Sequence, residues 1–144
     1  MPRIQRSASV PYSPEQMFEL VDDIESYPSF LPWCRSAQVL ERGDNEVRGR
    51  IEMAKGALHR SFTTRNELVP GRQIRVRLED GPFSHLEGDW SFSPDGRGGC
   101  RVALDLEYEF AGRVVSAVIG PIFNQIARTM VDSFVRRANA LYSR

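Results

Sequence analysis

The final thirty residues, Arg113 to Tyr142, carry apolar side chains at helical spacing, and most of the chain before them alternates with the two-residue period of strands. That order constrains the fold more than any single residue. One long helix laid across a curved antiparallel sheet can leave an apolar cavity between the two layers. Val114, Val115, Val118, Ile119 and Ile122 form one helical stripe. Ile122, Phe123, Ile126, Met130, Val131, Phe134, Ala138 and Leu141 form another. At about 100° per residue, the second stripe is rotated roughly 100° from the first, around Gly120-Pro121. Pro121 lacks a donor and clashes with the carbonyl four residues back, so a bend is expected there. Two readings stay open: two helices or one kinked helix on a filled core, or a bend that opens space for a ligand.

The strands before the helix are marked by alternation. Ile4, Ala8 and Val10 oppose Gln5, Ser7 and Ser9 in a first strand. Six more are predicted: Ala37 to Glu41, then runs centred on Val47–Met53, Leu58–Leu68, Ile74–Leu78, Leu86–Phe92 and Val102–Phe110. Turn residues separate them at Gly43-Asp44-Asn45, Lys55-Gly56, Pro70-Gly71, Asp80-Gly81-Pro82 and Asp95 to Gly99. Short turns imply sequential hairpins, hence a meander wet on one side. Ser13-Pro14-Glu15-Gln16 is a helix start, with Ser13 as cap, Pro14 in the first helical position and Gln16 closing a capping box. Met17, Leu20, Val21 and Ile24 give that helix an apolar face. Tyr27 to Cys34, rich in aromatics and proline, suits a helical turn or lid-like connection. The predicted class is α+β, with helices on one face of a seven-stranded antiparallel sheet.

Length predicts one domain over residues 1–144. Nineteen basic and nineteen acidic residues balance, which argues against non-specific nucleic-acid binding. Cys34 and Cys100 are expected as two reduced thiols. The first residues show no apolar signal region, and no apolar run looks long enough to cross a bilayer, so a cytoplasmic protein is expected.

No catalytic set is legible. His59 and His85 lack metal-ligand spacing with either cysteine or a carboxylate, and no phosphate loop, nucleophile elbow or dinucleotide fingerprint occurs. Asp105, Glu107 and Glu109 alternate with an apolar face and should meet water, as should Asp22 and Asp23. Arg60, Thr64 and Asn66 share parity with Leu58, Phe62 and Leu68. They are the polar candidates for orienting a ligand head group, unless a twist or bulge turns them outward.

Several segments together resemble a known family. They are Val10 to Met17, Leu20 to Asp23, Tyr27 to Cys34, Ser61 to Asn66, Asp80 to Phe83, Leu86 to Phe92 and Met130 to Phe134. In this order, over nearly the whole chain, they resemble the coenzyme Q-binding START-domain family, in its RatA-type bacterial branch, also labelled oligoketide cyclase/lipid transport protein. The resemblance implies the helix-grip, START/Bet v 1-like fold. It implies ubiquinone or another hydrophobic ligand, such as a related polyprenyl lipid, bound between sheet and long helix in support of respiratory quinone function; no cofactor and no metal are expected. It also implies a rival role, a toxin that binds the large ribosomal subunit and blocks subunit association. Trp90 and the segment Phe30, Leu31, Pro32 and Trp33 belong to the implied ligand site. With the inward-facing positions they give the expected site: those residues together with Phe62, Thr64, Asn66, Phe83, Phe92, Ile119, Phe123, Ile126 and Met130.

The leading expectation is a binder of a quinone or lipid that performs no chemistry, with peripheral membrane contact open to it. Ribosome association is the second, drawing on an arginine patch of Arg48, Arg50, Arg75 and Arg77. A polyketide cyclase-like enzyme is the third, resting on fold analogy.

Overall fold

The computed structural model describes residues 2–143. Seven strands, β1 (Arg3–Val10), β2 (Cys34–Arg42), β3 (Glu46–Lys55), β4 (Leu58–Val69), β5 (Gln73–Asp80), β6 (Phe83–Pro94) and β7 (Cys100–Phe110), form one curved antiparallel sheet. Their order is β1-β7-β6-β5-β4-β3-β2, so β2 to β7 is the expected meander and β1 closes against β7. The helices α1 (Pro14–Asp22) and α2 (Arg113–Tyr142) and a short 3-10 helix, Ile24–Ser29, complete the helix-grip fold.

Local chemistry explains most of this. Ser13 Oγ accepts from Gln16 N at 3.1 Å, and Gln16 Oε1 accepts from Ser13 N at 2.9 Å, the reciprocal cap that starts α1. Pro28 sits inside the 3-10 helix, where α-helix cannot continue. Ile24 therefore leaves α1 for that turn but still buries its side chain. In β7 the burial alternates strictly, with Val102, Leu104, Leu106, Tyr108 and Phe110 inward. β2 runs longer than expected, because the ladder with β3 absorbs irregularities after Cys34 and Val39.

The long helix spans the expected Arg113–Tyr142. It runs unbroken through Pro121, so two separate helices are excluded. Pro121 and Ala117, whose carbonyl it leaves without a donor, are both exposed, so that carbonyl can bond to water. The rotation of the apolar stripe has another meaning. Phe123, Ile126, Ala127, Val131, Phe134 and Ala138 pack inward, whereas in the first turns only Ile119 is buried and Val114 and Val118 face solvent. Contrary to the expectation that no apolar run is long enough to cross a bilayer, an 18-residue stretch of α2 reaches the length and composition of a membrane-crossing helix. Only 28% of it is buried. Two tyrosines tie α2 down: Tyr108 Oη donates to Asn124 Oδ1 at 3.0 Å, and Tyr12 Oη donates to Asn139 Oδ1 at 2.6 Å.

Candidate ligand-binding site

The sheet presents a largely apolar surface to α2, but α2 does not fill it. A cavity of about 100 Å³ remains between them, lined by 18 residues. The sheet supplies one wall with Ile51, Phe62, Val76, Leu86, Trp90, Leu104 and Leu106. The helix supplies Phe123, Ile126, Met130 and Phe134, and Ile24, Tyr27 and Trp33 close one end. Gly49 and Gly88 also line it, where a side chain would take up the space. A Cβ on Gly49 would come within 2.9 Å of Ile24 Cδ1, so any side chain there would displace the tip of Ile24. The volume is below that of an apolar cavity able to hold benzene.

Thr64 and Asn66 are the polar pair on this wall. Both are buried, and the Thr64 hydroxyl donates to Asn66 Oδ1 at 3.0 Å. With Oδ1 engaged, the Asn66 amide keeps its two N–H donors for the cavity. Tyr27 Oη donates to the Val21 carbonyl, and burial raises its pKa well above the ordinary range, so it stays protonated. Phe134 is the packing hub, with ring centroids 5.5 Å from Tyr27, 5.2 Å from Phe30 and 5.3 Å from Trp90.

Of the expected residues, Trp33, Phe62, Thr64, Asn66, Trp90, Phe123, Ile126 and Met130 come together around the cavity. Phe30, Leu31, Pro32, Phe83, Phe92 and Ile119 do not line it. Phe30 packs edge-to-face against Phe134 and Tyr27, with the Arg137 guanidinium 5.1 Å from its ring centre. Leu31 is wholly buried and Pro32 is exposed. Phe83 stacks on Phe110, and Phe92 packs against Phe18. Arg60 is exposed too, donating to the His59 carbonyl at 3.1 Å, so only two of the three polar candidates face inward.

Other chemical expectations are sharpened. Cys34 and Cys100 are separate buried thiols, each pushed up to about 11, chiefly by burial. Asp105 faces outward and pairs with Arg3 at 2.8 Å. Asp22 is not simply solvated. Its Oδ2 accepts from Arg42 at 3.0 Å while Oδ1 is buried without a partner, and desolvation raises its pKa. The arginine patch is partly neutralised, since Arg48 pairs with Glu79 and Glu41, and Arg77 with Glu67.

Residues 10–135 match the family described as polyketide cyclase/dehydrase and lipid transport proteins. The chain belongs to that family. Within it, the chain falls in the RatA-type branch. The ribosome association toxin RatA of Pseudomonas aeruginosa is 50% identical over 139 residues, 96% of each chain. A mitochondrial coenzyme Q-binding protein homologue of Xenopus laevis is 30% identical over 148 residues, 99% of this chain and 61% of that one. An aromatase/cyclase from Streptomyces sp. R1128 superposes with a TM-score of 0.80 at 16% identity, covering 99% of this chain and 97% of that one. At that identity the likeness shows the shared polyketide cyclase-like, START/Bet v 1-like fold alone.

Proposed function

We propose that this chain binds a hydrophobic small molecule with an oxygen acceptor on an apolar frame, a quinone above all, and does not transform it. The observation that carries the reading is the Thr64–Asn66 pair, which leaves amide donors on the wall of an otherwise apolar cavity. A quinone carbonyl accepts such a bond, and Trp33, Trp90 and Phe134 offer aromatic surfaces to its ring. No carboxylate, imidazole, amine or thiol is among the lining residues, which supports binding over acid–base chemistry. Because the cavity is smaller than a substituted quinone ring, α2 moves away from the sheet as ligand enters. A polyprenyl tail then follows the apolar gap, each buried methylene contributing about 0.8 kcal/mol. The whole chain works as one binding domain in the cytoplasm and needs no cofactor. Mass spectrometry of an organic extract of the purified protein tests this, together with quenching of Trp33 and Trp90 fluorescence by short-tailed ubiquinone. Co-extracted quinone and saturable quenching are expected; neither appearing would overturn the reading.

A second reading, association with the large ribosomal subunit, is supported by 50% identity to a protein named for ribosome association. The outer-face arginines serve it poorly, because two of the four expected contacts are engaged in ion pairs. Cosedimentation with large subunits at low salt is its test, and absence of the protein from the subunit fraction would end it.

A further inference from the structure

We infer that the first two turns of α2, with the β3–β4 turn beside them, form a docking face for an anionic lipid bilayer. Val114 and Val118, one helical turn apart, are 77% and 52% exposed. Ala117 and Pro121 lie exposed between and after them. This is an apolar surface on the outside of a helix whose later turns bury theirs.

The charge around it has one dominant sign. Arg113 opens the helix, and no Asp or Glu occurs from Ala111 to Val131. The β3–β4 turn packs against the same place, since a Cβ built on Gly56 would sit 3.7 Å from Ile122 Cδ1. That turn carries exposed Lys55 and leads to exposed Arg60, and no acid occurs from Met53 to Asn66. Lys55, Arg60 and Arg113 form no ion pair among the described residues, unlike Arg48, Arg65 and Arg77 on the outer sheet face. Two acids also reach this end: Asp80 beside the β5–β6 turn, which is held by the Ala111 N–H donating to Pro82 O at 2.8 Å, and exposed Glu109 at the end of β7, across from His85. Lys55, Arg60 and Arg113 outnumber these two acids.

Exposed valines flanked by unpaired cations match the two layers of a bilayer surface: acyl chains for the valines, lipid phosphates for the Arg and Lys. A second copy of the chain fits less well, because a two-fold contact would place Arg113 and Lys55 against their own copies. The position adds a consequence that rests on the ligand reading above. Phe123 and Phe62, one residue past Ile122 and a few residues past the β3–β4 turn, already line the cavity. A hydrophobic ligand leaving the bilayer enters there without crossing water.

Vesicle flotation with the purified full chain tests the docking face. Vesicles of phosphatidylglycerol and phosphatidylcholine should carry the protein at low salt, pure phosphatidylcholine far less, and 0.5 M salt should release it. Val118→Asp should reduce the bound fraction at least tenfold, and Arg113→Glu and Lys55→Glu about fivefold or more each. Val69→Asp, at an apolar residue 47% exposed on another part of the molecule, should leave it unchanged. Short-tailed ubiquinone quenching by Val118→Asp should match the parent chain, which separates the two proposals. Quenching without flotation would overturn docking and leave the ligand reading standing; flotation without quenching would do the reverse. Equal loss with Val69→Asp would overturn the assigned face. So would a solution dimer abolished by Val118→Asp in a protein that does not float, which would give the patch to a second copy.

Discussion

The two faces of the sheet use polar groups in opposite ways. The outer face is crowded with them: Arg48 Nε donates to both Glu79 oxygens, Arg65 reaches Glu46 and Glu79, and Arg3 holds Asp105. On the inner face, the wall of the cavity holds one side-chain pair, Thr64 and Asn66, among apolar neighbours. Water competes for every group outside, so each outer pair contributes little. Nothing competes inside, so the one pair there decides what the cavity accepts and what its loss costs. Abundance of polar contacts and their consequence run in opposite directions across one sheet.

The inner face should therefore dominate every measurement. Phe134→Ala removes the ring that packs on Tyr27, Phe30 and Trp90, at a site 1% exposed. A loss of about 3–5 kcal/mol in urea unfolding is expected. A cost below 1 kcal/mol would mean that the existing cavity lets neighbours collapse around the gap. Gly49→Val acts on the same wall in the other direction, forcing the Ile24 tip aside and placing a branched side chain in the cavity. It should cost about 1–3 kcal/mol and abolish quinone quenching.

The Thr64–Asn66 pair allows a sharper comparison. Asn66→Leu leaves the buried Thr64 hydroxyl without its acceptor and should cost about 1–3 kcal/mol. Adding Thr64→Val removes the orphaned group, so the double variant should recover much of that stability. Quinone affinity should fall about tenfold or more in both, because both lack the amide donors. Equal affinity in parent and double variant would break the claim that this pair selects the ligand, whatever happened to stability.

How much of this was legible beforehand differs by element. The alternation of Val102 to Phe110 and the Ser13–Gln16 cap were readable because each is a local pattern with one structural solution. The cavity wall was readable only in part. Val76, Leu86, Leu104 and Leu106 line it, yet in sequence they look like any core residue; sheet curvature decides whether helix or space lies above them. Gly49 and Gly88 carry no side chain to signal a role. Phe30 illustrates the converse. Its aromatic segment suggested the site, but the ring packs against Phe134, under Arg137, and does not line the cavity. In α2, helical spacing predicted burial for Val114 and Val118 as for Phe123 and Phe134, but the first pair is left exposed while the second is buried. The phase shift at Gly120-Pro121 was the available signal. It marks the change from an uncovered stripe to a gripping one.

The smallest effects should come from the outer face, and pH exposes them. The Arg48 side chain, hydrogen-bonded to Glu79, holds that carboxyl below its ordinary value of 4.5, and Arg3 holds Asp105 below 3.8. For an acid whose folded pKa is lowered, the unfolded chain binds the proton more readily. Its stabilising contribution is therefore complete above the unfolded value and disappears as pH falls through the folded one. Unfolding midpoints should accordingly stay level on this account down to about pH 5 and decline below it. Glu79→Gln should flatten part of that decline while shifting the midpoint at pH 7 only slightly, and 0.5 M salt should shrink the difference further. Because Arg48 also pairs with Glu41, and Arg65 with Glu46, the remaining partners take up the freed arginines. A Glu79→Gln loss as large as that of Asn66→Leu would show that the outer ion pairs act as one cooperative network, and the contrast between the two faces would no longer hold.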